Sequence, residues 1–291
     1  MASSIRLALA QTKAVIGDIG KNASHHCEFV RRAIDHGGQG IVFPELSLTG
    51  YTLRDLNLEV AIDAATDPRL AELRSLSKKI TIICGGVERA ASGGVHNAAF
   101  VFEDGELIHT HRKIYPPTYG IFEEQRYFLA GNKALVFESK RLGKIGVLVC
   151  EDLWHPSLPY LLAYQGAQHI ITIAASPTRL ETGALANEDV PSNYTINKEH
   201  HVAYARLFSI FITFCNRVGV EDGVNFWGGS EVVDPSGVVL KRGAFFEEDL
   251  SITDVDYSLV TKARQFSRHM LDEDLLLTRE LFDETIKENR H

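Results

Sequence analysis

Short apolar runs rich in β-branched residues alternate with segments of helical spacing twice along this chain, over residues 5–140 and again over 144–257. This alternation constrains the fold more than composition does, because each apolar run needs a sheet to lie in and each amphipathic segment needs a sheet to cover. The chain therefore reads as one α/β unit with a mixed sheet system. No internal repeat at solenoid periods and no Pro/Gly/Ser-rich linker divides it. Residues 258–291 are charged and mostly of helical pattern, and are set apart as a tail following a domain over 1–257. An apolar content of 45% and a charged content of 23% fit a soluble globular protein with a sizeable core.

The pattern predicts strands over 5–10, 40–44, 80–87, 96–102, 107–111, 135–139, 144–149, 170–175, 211–216 and 251–255. Asp104-Gly105 between two apolar runs signals a hairpin, and a second hairpin over 231–240 turns on Asp234 to Gly237. Helices are predicted over 22–36, with Asn22 or Ser24 as cap and Gly37-Gly38 as stop, and over 67–79, 160–166 and 199–210. Residues 178–198 are polar, carry Gly183 and Pro191, and read as a long irregular loop, a feature usually tied to function or mobility.

Charge excludes several partners. A net charge of −8 and a pI near 5.8, with no Lys/Arg-rich run, argue against nucleic acid or an anionic membrane surface. No stretch approaches the roughly 18 apolar residues of a membrane helix. The opening MASSIRLALAQTKAVIG already resembles a strand, so no signal peptide is expected. Cys27, Cys84, Cys150 and Cys215 are far apart and form no C-x-x-C pair, which suits a reducing cytoplasm better than disulfides or zinc. The Asn-x-Ser/Thr sequons at Asn22 and Asn193 are then accidental.

Chemistry concentrates where strands give way to loops. The run KIGVLV stops at Cys150, and Glu151, Asp152, Trp154, His155 and Pro156 end any regular ladder. Open α/β sheets place their sites at such carboxyl ends. The stretch alone is equally compatible with a buried structural thiol. Glu45 follows IVFP and Lys113 follows LIHTHR, also at strand ends. A thiol needs deprotonation to attack, a carboxylate can take that proton, and an ammonium can favour the thiolate or hold an oxyanion. Taken singly, Glu45 is better read as a helix-start acid and Lys113 as a solvated hairpin residue.

Three motifs in order change that balance. FPELSLTGY (43–51), HRKIYPPTYGIFEE (111–124) and VCEDLW (149–154) together resemble the nitrilase superfamily of carbon–nitrogen hydrolases, over about residues 5–257. The resemblance implies a four-layer α-β-β-α sandwich of two mixed sheets, with no metal or cofactor. It implies Glu45 as general base, Lys113 as stabiliser of the tetrahedral intermediate and Cys150 as the nucleophile forming a thioester. Glu124 is the second glutamate of the pattern, with Glu123 the near miss. The wording CEDLW, ELSLTGY and the Lys-x-Tyr-x-Pro-x-Tyr-Gly-x-Phe stretch is most similar to the glutamine-hydrolysing domain of glutamine-dependent NAD synthetases. That similarity makes Tyr51, Tyr119, Glu151 and Ser176 pocket residues, with Glu151 suited to an α-ammonium; Arg179 is a further candidate, for a carboxylate. A synthetase's Ser-Gly-Gly-x-Asp-Ser phosphate loop is absent from the sequence, since Ser92-Gly93-Gly94 runs on into Val95-His96-Asn97. The expectations are thus a free-standing amidase or glutaminase, or one supplying a separate synthetase chain, and a homodimer built on the helix after Cys150 and the tail. The rival expectations are a nitrilase, which Glu151 in place of the usual Trp disfavours, and an idle regulatory partner.

Other residues have plainer readings. His25-His26 and His200-His201 are adjacent pairs whose members point apart on a helix, so neither suggests a metal site. His109 and His111 share a strand face and read as structural or rim residues. Trp154 is a candidate substrate contact, whereas Trp227 reads as core. Gly228 and Gly229 suggest close backbone approach. No glycine-rich dinucleotide fingerprint follows a strand, so redox chemistry is not expected.

Overall fold

The structure, a computed structural model, describes residues 4–178 and 191–289. In chain order its first half holds β1 (Ser4–Gln11), α1 (Ile19–Asp35), β2 (Gly40–Val42), α2 (Asn57–Val60), α3 (Ala71–Leu76), β3 (Thr81–Arg89), β4 (Val95–Glu103), β5 (Glu106–Arg112) and α4 (Glu124–Tyr127). The second half holds β6 (Phe137–Ser139), β7 (Gly143–Val149), α5 (Ser157–Tyr164), β8 (His169–Ala174), β9 (Pro177–Thr178), α6 (Ser192–Phe208), β10 (Phe211–Asn216), β11 (Val218–Glu221), β12 (Val224–Trp227), β13 (Glu231–Val233), β14 (Val239–Arg242) and β15 (Asp249–Asp256). The helices α7 (Ser258–Phe266), α8 (His269–Asp272) and α9 (Leu275–Glu288) follow.

Two six-stranded sheets form, in the orders β15-β1-β2-β3-β4-β5 and β14-β13-β10-β8-β7-β6. Within them β1, β2 and β3 run parallel, as do β7, β8 and β10, while the flanking strands are antiparallel. Parallel strands covered on both faces should read as near-continuous apolar runs; GIV does, and HIITIA is interrupted only by the buried His169 and Thr172. Leu7, Leu9, Val42, Ile83 and Val101 of the first sheet meet Val147, Val149, Ile171, Ile173 and Phe211 of the second in one buried cluster. The outer face of the first sheet is covered by α1, whose Ala23, Cys27, Val30 and Ala33 are buried at helical spacing. On the second sheet α5 and α6 do the same through Leu158, Leu162, Tyr204 and Phe208. The α-β-β-α sandwich is therefore the observed architecture. Its two parallel strand sets end at the same edge, which brings the loops after β2, β5 and β7 together.

Four local expectations need correction. The first long helix begins at Ile19, because the Asp18 side chain accepts from the Lys21 N–H at 3.0 Å; Asn22 sits inside it, its amide bound to the backbone of Val15 and Leu48. The segment over 67–79 is shorter, a single 3-10 turn followed by α3, with Asp67 as its cap. The expected loop over 178–198 ends early, since α6 starts at Ser192 and not at 199. Its buried stripe is Tyr194, Asn197, His201, Tyr204 and Phe208; two polar members hid the 3.6-residue period. A three-stranded sheet, β11-β12-β9, was also missed, because its strands are four residues or fewer and half exposed. Among the described residues no helix is long and apolar enough to cross a membrane.

Candidate active site

Glu45 stands at a turn pressed into β3. After β2 the chain stays tied to that strand, with Phe43 N–H on the Ile83 carbonyl at 2.8 Å and Leu48 N–H on the Gly85 carbonyl at 2.9 Å. Leu46 takes a left-handed φ of 49° to make the turn. A Cβ on Gly85 would lie 2.4 Å from Leu46 N and 2.7 Å from Pro44 O, so only glycine admits the turn at this depth. His26 locks it from α1. Burial holds this imidazole down to about 3, so the ring is neutral, donating through Nδ1 to Asn22 O at 2.6 Å and accepting at Nε2 from Ser47 Oγ at 2.9 Å.

Cys150 is delivered by β7 directly into a 3-10 turn, Cys150–Trp154, with a φ of 46°. A non-glycine residue in this region is strained and persists only where its surroundings over-determine it. Asp152 supplies the constraint. Fully buried, it accepts from the Ile114 and Tyr115 N–H groups at 2.9 and 3.0 Å, from the Val149 N–H at 3.2 Å and from His111 Nε2 at 2.8 Å. One carboxylate therefore fixes the turn after the thiol to the chain just beyond Lys113.

Lys113, 1% exposed, lies between the carboxylates of Glu45 and Glu124. Its Nζ donates to Glu45 Oε1 and to Glu124 Oε1, both at 2.7 Å. Tyr51 OH donates to Glu124 Oε1 at 2.6 Å, Asn97 Nδ2 to Glu45 Oε1 at 2.7 Å, and the Ala175 N–H to Glu45 Oε2 at 2.8 Å. Burial opposes the lysine's charge, but Glu124 and Glu45 outweigh it and hold the ammonium well above its usual range. Burial, with the charge of Glu45 added, pushes Glu124 up. The Cys150 thiol is likewise pushed well above its ordinary value, by burial first and Glu45 second, against the opposing pull of Lys113. At rest the sulfur is a thiol beside a hydrogen-bonded carboxylate, a pairing that can pass a proton when an electrophile arrives.

The other expected site residues divide. Glu124 is buried and Glu123 exposed. Tyr119, 57% exposed, donates to Glu151 Oε2 at 2.8 Å on one side of a groove of about 470 Å³ that Phe122, Pro177, Thr178 and Asn193 also line. Ser176 and Trp154 line a small cavity beside Cys150, and Ser176 Oγ accepts from Trp227 Nε1 at 3.2 Å. Tyr51 is committed to Glu124, and its N–H to Glu221 at 2.8 Å. Arg179 lies outside the described residues. Sequence reasoning missed Asn97, Asp152 with His111, and Asn197 with His201. Asn97 could have been noticed as the lone amide in the apolar strand VHNAAFVF, and Asp152 as an acid directly after a core strand.

The sequence profile of the carbon–nitrogen hydrolase family matches residues 6–265. The chain belongs to this family. As a carbon–nitrogen hydrolase of the nitrilase superfamily it is similar to the glutamine-dependent NAD(+) synthetase of Thermotoga maritima, at 34% identity over 274 residues, covering 91% of this chain and 45% of that protein. The structure of glutamine-dependent NAD+ synthetase from Acinetobacter baumannii in complex with ADP superposes with a TM-score of 0.75 at 29% identity, over 88% of this chain and 46% of that one. The chain thus spans a little under half the length of these relatives. A carbon–nitrogen hydrolase from Helicobacter pylori G27 shares the fold over nearly its whole length, with a TM-score of 0.82 at 23% identity, covering 96% of this chain and 98% of that one.

Proposed function

We propose that this hydrolase cleaves the C–N bond of a small linear amide through a thioester on Cys150. The observation that carries the reading is Lys113 Nζ at 2.7 Å from both Glu45 and Glu124, with Cys150 titrating in the field of all three. As substrate enters, Glu45 takes the thiol proton and the sulfur attacks the carbonyl carbon. Lys113 and a backbone N–H near Glu151 hold the resulting oxyanion. Glu45 returns its proton to nitrogen, the C–N bond breaks and ammonia leaves the thioester. Water, deprotonated by Glu45, then attacks the acyl carbon; the acid departs and the thiol is restored. Tyr51 and Asn97 keep the carboxylates in place during both halves.

Glutamine is the amide this reading favours. The relatives are named for glutamine dependence, and the Glu151 carboxylate, held by Tyr119 beside the groove, suits an α-ammonium. Ammonia would then serve a separate synthetase chain or be released. The rival reading, a nitrile giving a thioimidate, uses the same thiol. We place the protein in the cytoplasm, where a thiol nucleophile stays reduced, and as a homo-oligomer. The test is ammonia release from glutamine, other small amides, carbamoyl compounds and nitriles, each beside Cys150→Ala. Glutamine turnover lost in the variant supports a glutaminase; turnover of other amides alone keeps the mechanism and removes glutamine; turnover that persists in Cys150→Ala, or silence throughout, overturns the reading.

A further inference from the structure

The mechanism above uses one side of the space around the thiol. The other side is built by α6, where Asn197 and His201 sit one turn apart on the buried stripe and line, with Trp154 and Ser176, a cavity touching Cys150. His201 Nδ1 lies 2.7 Å from Glu231 Oε1, and each side chain is 1% exposed. Glu231 stands on β13 beside the apolar Val232 and Val233, and its second oxygen faces Tyr194 OH at 3.4 Å, itself bound by Arg242 Nη1 at 2.9 Å. Burying an acid and an imidazole together is costly unless they are paired, and nothing in the acyl chemistry calls for them. A carboxylate can only accept, so Nδ1 carries the proton shared with Glu231, and Nε2 makes no hydrogen bond to the other described residues.

Size decides what the Nε2 edge of His201 can meet. The cavity holds about 10 Å³, room for one water-sized group and too little for a substrate's chain. An amide carbon over the sulfur of Cys150 carries three substituents. With its oxygen at Lys113, as proposed above, and its chain directed past Glu151 and Tyr119 toward the groove of about 470 Å³, its NH₂ is the substituent left for the cavity. Glu45 accepts from the Ala175 N–H, one residue before the cavity residue Ser176.

We propose that His201, oriented by Glu231, is a specificity-determining residue that accepts an N–H of the substrate's carboxamide and so selects primary amides over esters. The inference rests on the amide-hydrolase reading above. The test compares kcat/KM for glutamine and propionamide with that for glutamate γ-methyl ester and methyl propionate, in the wild type and in the paired variant His201→Leu/Glu231→Met, which removes both polar groups at once. The amide-to-ester ratio should fall about tenfold or more, as for a site that loses its partner for a substrate N–H, while ester turnover stays within about threefold. His201→Gln, whose amide can donate to Glu231 and turn its oxygen to the cavity, should restore the ratio. If the paired variant fails to fold, His201→Asn, which still reaches Glu231 but stops short of the cavity, is read in its place. An unchanged ratio, or equal loss on amide and ester, overturns the role of His201 alone. No turnover of any of the four compounds by the wild type overturns the amide reading and this inference with it.

Discussion

At Lys113 a single ammonium lies buried between two buried carboxylates, so the three charges are stable only as a set. Lys113→Met leaves Glu45 and Glu124 facing each other unpaired. It should abolish turnover and lower the unfolding free energy by about 3–5 kcal/mol, read from urea denaturation with the ammonia assay; an unchanged midpoint would mean that the carboxylates are not ionised together. Two other buried residues contribute to the response to acid. His26 and His169 are held down to about 3 by burial, against an ordinary value of 6.5. Between those values the unfolded chain binds protons that the native one does not, so their contribution is complete above pH 6.5 and is lost as pH falls toward 3. Each group should remove about 1.4 kcal/mol per pH unit in that window. His169→Gln, placed between Thr213 and Tyr257, should flatten the slope by about that amount, a difference readable from urea midpoints at pH 6 and pH 5.

Between elements, Asp152 and Gly85 position the chemistry without taking part in it. Asp152 ties the turn at Cys150 to the chain after β5 and to His111, so Asp152→Ala releases four donors at once. Each orphaned buried donor costs about 1–3 kcal/mol. The variant should melt well below the wild type by calorimetry, and alkylation of Cys150 by iodoacetamide should change rate even where the protein is folded. Gly85→Ala tests the Glu45 turn, because the added methyl can be accommodated only if Leu46 and Pro44 move off β3. A variant that folds with full activity would show that the turn is looser than the contacts imply.

On the scale of the whole molecule, the tail carries an apolar face that none of the described residues covers. Leu276, Leu277, Leu281 and Phe282 of α9 are exposed, as are Phe266 at the end of α7 and Leu161 on α5, while Glu273 reaches back to Tyr160 at 2.7 Å. Patches of this kind mark interaction sites, and the proposed homo-oligomer would bury it. Light scattering should give a dimer or larger assembly that Leu277→Glu/Phe282→Glu dissociates; a monomer at all concentrations would remove the proposal. The layers were legible in the sequence, because strands such as IVF, KIGVLV and HIITIA have one way to be buried, and the strand ends bearing Glu45, Lys113 and Cys150 followed from them. Local chemistry was enough to pick out residues at such ends and to compare them with a family pattern. It was not enough to say which polar groups share a pocket. Asn97, Asp152, His111, Asn197, His201 and Glu231 come from five separate elements, and only the packing of two sheets against α6 brings them to the cluster or to the cavity beside the thiol. Their polarity hid them: a buried Asn or His breaks the very periodicity by which a sequence announces its core, and its partner is fixed by tertiary contact and not by spacing.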